Sequence, residues 1–219
     1  MFIVIGEVLD APMLAVLREA AQALDYADGR ATAGRYARSV KANQQARPGE
    51  ALEAVLEQVR RRLLANELFR SVARPRGFAR MLVSRYRPGM EYGRHVDDAI
   101  MQGARTDLSF TLPLSRRDEY QGGGLVIEEA IEDRVIRVEA GDMVLYPTSA
   151  LHRVEPVTGG ERLAVVGWVT SWVRDPARRE LLHDLDVAAQ AMFDAQGKNP
   201  AFDRLLKAKS NLMRMWADG

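Results

Sequence analysis

Three side chains stand out by type and spacing. His95 and Asp97 lie two apart in the segment YRPGMEYGRHVD. On an extended segment residues i and i+2 point to the same side, so an imidazole nitrogen and a carboxylate oxygen can meet one cation. His152 follows 55 positions after Asp97, directly behind the strand-like run DMVLYP and its turn. Two histidines and one carboxylate on one face, with the opposite positions open, form the ligand set of non-haem iron(II) oxygenases. A His-x-Asp pair alone is a common accident of sequence. Arg162 strengthens it: ten residues past His152 it opens the apolar run LAVVGWV, and its planar fork can pair with a carboxylate in bidentate fashion. The chain has no cysteine, so thiolate ligation and a disulfide framework are excluded, and a transition metal must be held by imidazole and carboxylate.

The elements that must position these groups fall into three zones. Residues 1–76 read as an N-terminal helical flank. Asp10 is an N-cap candidate before Leu14, Leu17, Ala21 and Leu24 at helical spacing, and Leu52, Val55, Leu56, Val59 and Leu63 share a second face. Arg60, Arg61 and Arg62 read as a solvated face of that helix. Between the helices, residues 28–45 (DGRATAGRYARSVKANQQ) are polar and without period, which predicts a loop that is either a functional lid or mobile. From 77 to 176 the pattern changes to short apolar runs punctuated by Gly, Pro and Asp: FARMLVSRY, DLSFTLPLS, GGGLVIEE, RVIRVEAG, DMVLYP, LHRVEPV and RLAVVGWVTSWV. Such spacing predicts a β-sandwich or barrel. Gly122, Gly123 and Gly124 read as a strand-joining turn, since no helix pattern follows them. Residues 177–219 are again helical, with one stripe of Leu181, Leu182, Leu185, Ala188 and Met192 and another of Phe202, Leu205, Leu206, Leu212, Met213 and Trp216. These predict packing on the β core or on a second copy of the chain, which leaves a homo-oligomer open.

A chain of 219 residues with 31 Lys plus Arg against 30 Asp plus Glu has the size of one domain and no electrostatic footprint for nucleic acid or an acidic membrane. No apolar run reaches the length of a bilayer span, and no charged start or small-residue cleavage site marks a signal peptide. A cytoplasmic protein is expected.

Taken together, DGRATAG (28–34), RYRPGMEYGRHVD (85–97), RTDLS (105–109), GGGLVIEE (122–129), AGDMVLYPTSALHRVEPVT (140–158) and the stretch ending in WVRD at 175 resemble the bacterial PKHD-type hydroxylases. These are a branch of the prolyl-4-hydroxylase-like iron(II)- and 2-oxoglutarate-dependent dioxygenases. The likeness covers nearly the whole chain. It implies an α+β fold with a mainly β core, a double-stranded β-helix (a jelly-roll, cupin-like barrel) with flanking N- and C-terminal helices. It further implies Fe(II) on His95, Asp97 and His152, 2-oxoglutarate on Arg162, and hydroxylation of a C–H bond in a peptidyl or small-molecule substrate with release of succinate and CO2. L-Ascorbate is a further cofactor candidate. With Asp97 as third ligand no position is left for a halide, which favours hydroxylation over halogenation. Two departures from the family pattern are Gly124, where Glu is frequent, and Asp98, where Asn or Gly is frequent; neither is a ligand position.

The other candidates divide between roles. Tyr86 is a candidate hydrogen-bond donor to 2-oxoglutarate, with core packing as the competing reading. Tyr92, Asp107 and Asn43 are candidates for a supporting or substrate-contacting role, although for Asp107 a strand-end hydrogen bond is preferred. Trp168 and Trp172 read as core or interface, and His183, in RRELLHDLD, as surface or packing. Two rival functions remain: a non-catalytic iron-binding or iron-sensing jelly-roll module, which has no need of Arg162, and a nucleic-acid demethylase, against which the charge balance speaks.

Overall fold

The structure, a computed structural model, describes residues 2–218. The chain starts with β1 (Ile3–Ile5), α1 (Ala11–Gln22), β2 (Tyr26–Asp28), β3 (Lys41–Ala42) and β4 (Gln44–Ala46), then α2 (Glu50–Ala65) and α3 (Glu67–Ala73). The central part holds β5 (Pro75–Tyr86), β6 (Glu91–His95), β7 (Ile100–Met101), β8 (Ala104–Arg105), β9 (Leu108–Pro113), β10 (Tyr120–Gly122), β11 (Leu125–Glu128) and β12 (Asp133–Ile136). It continues through β13 (Met143–Pro147), β14 (His152–Val154), β15 (Val157–Gly160) and β16 (Arg162–Ser171), and ends with α4 (Pro176–Gln196) and α5 (Pro200–Trp216).

Two antiparallel sheets make the barrel. One has seven strands in the order β1-β13-β9-β16-β5-β4-β2, the other five in the order β12-β11-β14-β6-β3. Alternation along the large sheet decides what faces what. Met81 and Val83, Leu108 and Leu112, Met143 and Leu145, and Leu163 and Val165 point outward into the core beneath α1, α2 and α3. Their neighbours, among them Leu82, Ser84, Tyr86, Ser109, Thr111, Tyr146 and Arg162, point inward to line a cavity between the sheets. The period of two thus places polar residues inside the barrel without breaking the helix-covered core.

The helices form where the periodicity predicts. Asp10 caps α1 by accepting from the Met13 N–H at 2.9 Å, and all five predicted apolar residues of α2 are buried, each worth about 1.5–3 kcal/mol of transfer free energy. Arg60 and Arg61 pair with Glu57, and Arg62 with Asp10, as a solvated face would. Residues 1–76 are more than a helical flank, however: β1 extends the large sheet against β13, and β2, β3 and β4 add strands to both sheets. Residues 28–45, expected to be irregular, therefore fold as short strands and two 3-10 turns. Their hydrogen bonds come from neighbouring strands, which no local period reveals.

The C-terminal stripe on α4 is shifted from the one predicted. Leu182 and Ala189 are buried, while Leu181 stands 53% exposed. On α5 the predicted residues are half-buried, and the helix packs against α4. Ser71 joins His183 and Asp186, and Arg74 and Lys209 also pair with Asp186, so His183 belongs to the seam that fixes α4 to α3. No helix among the described residues is long and apolar enough to cross a membrane.

Candidate metal and cosubstrate site

Pairing between β6 and β14 puts His95 directly opposite His152, and Asp97 follows just past the end of β6. The three residues offer ligand atoms that all lie within 4.8 Å of one another. His95 Nε2 is 3.7 Å from Asp97 Oδ1 and His152 Nε2 is 3.8 Å from Asp97 Oδ2. Both rings are held from behind, His95 Nδ1 on the Gly93 carbonyl at 2.8 Å and His152 Nδ1 on the Ala150 carbonyl at 3.0 Å. A carbonyl only accepts, so each Nδ1 carries the proton and each Nε2 turns its lone pair to the shared centre. Ser109 Oγ donates to Asp97 Oδ2 at 2.8 Å and contacts Thr148 Oγ1 at 3.1 Å, fixing the carboxylate.

Electrostatics match a cation. Burial would raise the Asp97 pKa, but the His95 contact, the charge of His152 and the nearby Trp168 indole outweigh it, leaving the carboxyl below its ordinary value. The Trp168 N–H is buried without a well-formed hydrogen bond in the protein, so its influence on Asp97 comes from proximity. Burial, with His95 next in the same direction, depresses His152 despite Asp97, which keeps the imidazole neutral and able to ligate. Two imidazole nitrogens and a carboxylate converging from one side fit a divalent transition metal.

The rest of the cavity extends along β5 and β16. Arg162, 3% exposed, faces Tyr86 across the strand pair, its guanidinium carbon 5.3 Å from the Tyr86 ring centroid. Its Nε has no hydrogen-bond partner, and no carboxylate of the described residues pairs with it. Gly123, at φ +62°, makes room for it, since a Cβ there would come within 2.9 Å of the Arg162 Cδ. The Gly122–Gly124 turn joins β10 to β11, as expected. Tyr86 Oη accepts from Asn43 Nδ2 at 2.9 Å, which leaves its own O–H free to donate, and burial raises its pKa. Gly29 packs against Asn43 so closely that a Cβ would meet Oδ1 at 1.9 Å. The DGRATAG segment is thus a backing for Asn43.

Among the other predicted residues, Tyr92 stacks on His95 with centroids 3.6 Å apart and lines the cavity. Asp107 does not line it: the carboxylate binds Arg105 Nε and the Ser171 N–H, both at 2.8 Å, and ties β8 to the end of β16. Asp107 thus makes the strand-end hydrogen bond expected of it and takes no part in the cavity, against its candidacy for a supporting or substrate-contacting role. Trp168 lines the cavity, while Trp172 lies outside it, partly exposed. Sequence reasoning missed Tyr146, whose ring lies 5.2 Å from that of His152, though alternation in DMVLYP would have placed it inward. It also missed Lys41 on β3 and Arg80 on β5, which line the cavity from the two different sheets. Lys41 is buried, and burial followed by the Arg80 charge lowers its pKa to about 8.

A jelly roll with two histidines, one carboxylate and a buried unpaired arginine in one cavity defines the iron(II)/2-oxoglutarate oxygenase class. Residues 81–170 match the 2OG-Fe(II) oxygenase superfamily and residues 176–218 the PKHD-type hydroxylase C-terminal domain. A PKHD-type hydroxylase of Synechococcus elongatus is 49% identical over the whole of both chains. The chain belongs to the PKHD-type hydroxylase family and is a 2-oxoglutarate-dependent dioxygenase that uses Fe(II). Its fold is shared with more distant solved structures. HygX from Streptomyces hygroscopicus, with nickel, 2-oxoglutarate and hygromycin B bound, is 15% identical with a TM-score of 0.56, over 78% of this chain and 84% of that one. A Trichoplax adhaerens prolyl hydroxylase in complex with a hypoxia inducible factor peptide is 17% identical with a TM-score of 0.55, over 82% and 86%.

Proposed function

We propose that His95, Asp97 and His152 hold the iron, that Arg162 seats the distal carboxylate of 2-oxoglutarate, and that the product is a hydroxylated peptide or small molecule formed in the cytoplasm. The observation that carries the cosubstrate assignment is Arg162 itself. A guanidinium this deeply buried is costly unless a charge neutralises it, and among the described residues no carboxylate pairs with it. A dicarboxylate entering the cavity would provide the missing partner with matched fork geometry.

When bound, iron would couple the oxidative decarboxylation of 2-oxoglutarate to placement of a hydroxyl on a C–H carbon. The chain's own groups set the geometry. His95 and His152 present Nε2 lone pairs fixed by Gly93 and Ala150, and Asp97 completes the face under the hold of Ser109. Tyr86, steadied by Asn43, keeps an O–H to give to the cosubstrate beside Arg162. Leu125, Val154 and Tyr146 close that end with apolar surface and exclude water. Asp97 in the third protein position leaves no seat for a halide, which supports hydroxylation as the outcome.

Metal analysis tests the ligand assignment. His95→Ala and His152→Ala should each lose stoichiometric Fe(II) or Ni(II), and wild-type occupancy in either refutes it. Succinate release when oxygen is admitted to the anaerobic iron and 2-oxoglutarate complex separates a catalyst from a sensor.

A further inference from the structure

Two cations on the cavity wall have no part in the chemistry above. Lys41 opens β3 and is 7% exposed. Its Nζ donates to Thr32 Oγ1 at 3.2 Å and lies 4.8 Å from the centroid of Tyr92, the ring stacked on His95. An ammonium has three N–H donors, and this one bond occupies a single donor. Arg80 lies on the inward row of β5 that also carries Leu82, Ser84 and Tyr86. Among the described residues, neither Arg80 nor Lys41 forms an ion pair, and the Arg80 charge works against protonation of Lys41. A buried ammonium and a half-buried guanidinium lining one cavity signal an absent counter-charge.

That counter-charge is not the cosubstrate. Arg162 is opposite Tyr86 in the β5–β16 register, whereas Arg80 is opposite Trp168. Six residues of strand, about 20 Å at the usual rise, separate Arg80 from Tyr86 along the cavity. Charge counting agrees. The two positive charges of a ferrous ion and that of Arg162 are cancelled by Asp97 and the two carboxylates of 2-oxoglutarate. Of the other carboxylates among the described residues, Asp28 acts on Lys41 and the exposed Asp98 lines the cavity, and neither forms an ion pair with Lys41 or Arg80.

We propose that Lys41 and Arg80 form a second oxyanion seat on the substrate side of the metal, and that the molecule hydroxylated carries a carboxylate or phosphate group bound there. The inference rests on the reading of Arg162 as the cosubstrate's seat. Its place beside Tyr92 and His95 brings an anionic substrate's neighbouring carbons toward the metal centre. The residues responsible come from segment 28–45 and β5, so they act as specificity determinants separate from the metal ligands.

The test is calorimetric titration of the protein loaded with nickel(II) and saturating 2-oxoglutarate, with benzoate and inorganic phosphate as probes. One equivalent of one probe should bind in addition to 2-oxoglutarate; benzoate uptake identifies a carboxylate seat and phosphate uptake a phosphoryl seat. Lys41→Met and Arg80→Met should each weaken that binding by about tenfold or more, the size of one charge-assisted hydrogen bond, while 2-oxoglutarate affinity changes by less than about twofold. Lys41→Arg keeps the charge and should retain binding even if Lys41→Met folds poorly. Absence of saturable binding by both probes, or equal binding by wild type and variants, overturns the proposal. A loss of 2-oxoglutarate affinity in Lys41→Met matching that in Arg162→Met also overturns it, by moving Lys41 into the cosubstrate's seat. An Arg162 variant with unchanged 2-oxoglutarate affinity would fail the cosubstrate reading alone.

Discussion

Removing the Arg162 charge gives the sharpest test of the cosubstrate assignment. Arg162→Ala would delete the guanidinium and the aliphatic stem that packs beside Gly123, so Arg162→Met, which keeps most of the stem, is the informative companion. Truncating one partner of a buried, hydrogen-bonded charge pair costs about 2–5 kcal/mol, or roughly 30- to 5,000-fold in the dissociation constant of 2-oxoglutarate. The upper half of that range is expected, because Arg162 is 3% exposed and, among the described residues, pairs with no carboxylate that could compensate. Arg162→Lys keeps a point charge and loses the fork, so it should fall between wild type and Arg162→Met. Calorimetry on the nickel-loaded protein reads the affinities directly, without turnover. Stability gives an independent sign. With no partner to orphan, the ligand-free Arg162→Met protein should be as stable as wild type or more so. Excess 2-oxoglutarate should stabilise wild type by about 2.7 kcal/mol at 100 times its dissociation constant, and the variant far less at the same concentration. A 2-oxoglutarate affinity within about threefold of wild type in Arg162→Met would refute the reasoning, because a burial this deep leaves no route for a partnered charge to be worth so little.

Zinc(II) should displace iron(II) at equilibrium and abolish succinate formation, since imidazole and carboxylate ligands follow the usual divalent affinity order; turnover that survives saturating zinc would count against the site. Lys41 makes a pH prediction. Its folded pKa of about 8 lies below the ordinary 10.5, so between these values the unfolded chain binds more protons and ligand-free stability should rise with pH, by up to about 3 kcal/mol. Chemical denaturation from pH 8 to 10 should show this rise in wild type and lose it in Lys41→Met, and an equal slope in both would remove Lys41 as its source.

Half of the candidate metal site was legible because it is local in sequence, while His152 reaches it only through the β6–β14 pairing. A His-x-Asp pair on a strand end needs only the two-residue period to face one side, and DMVLYP delivers His152 to the same sheet. All seven apolar runs of the middle zone became strands for the same reason. What stayed hidden depended on partners distant in sequence. Lys41, Asn43 and the strands around them sit in a polar stretch without period, and acquire structure only through β5, β6 and each other. Arg80 and Trp168 looked ordinary until register placed them opposite one another inside the barrel. The α4 stripe slipped because Arg179 is buried there, its Nη1 donating to the Val173 and Arg174 carbonyls at 2.7 Å. Such a contact turns a charged residue inward against the hydrophobic pattern.

That division of legibility follows a division of labour in the molecule. His95, His152 and Arg162 stand on strands locked into the sheets, and Asp97 follows just past the end of β6, so their positions follow from the barrel itself. The wall carrying Thr32, Lys41, Asn43 and Gln45 is made of short strands and turns held by side-chain bonds, Lys41 to Thr32, Thr32 to Gln45 and Asn43 to Tyr86. These strands pair at the sheet edges through the backbone, β3 with β6 and β4 with β5, so a side-chain change there keeps the ladder bonds, whereas β6 and β14 carry the pairing that joins both histidines. The physical consequence is that substrate choice can vary at the N-terminal wall at little cost to the metal centre. Asn43 is the exception. It belongs to the wall, yet through Tyr86 it touches the Arg162 end, so Asn43→Ala should weaken 2-oxoglutarate by about 0.5–1.5 kcal/mol, the net worth of one neutral hydrogen bond. An Asn43→Ala variant that lost metal instead would show that wall and metal centre are not separable in this way.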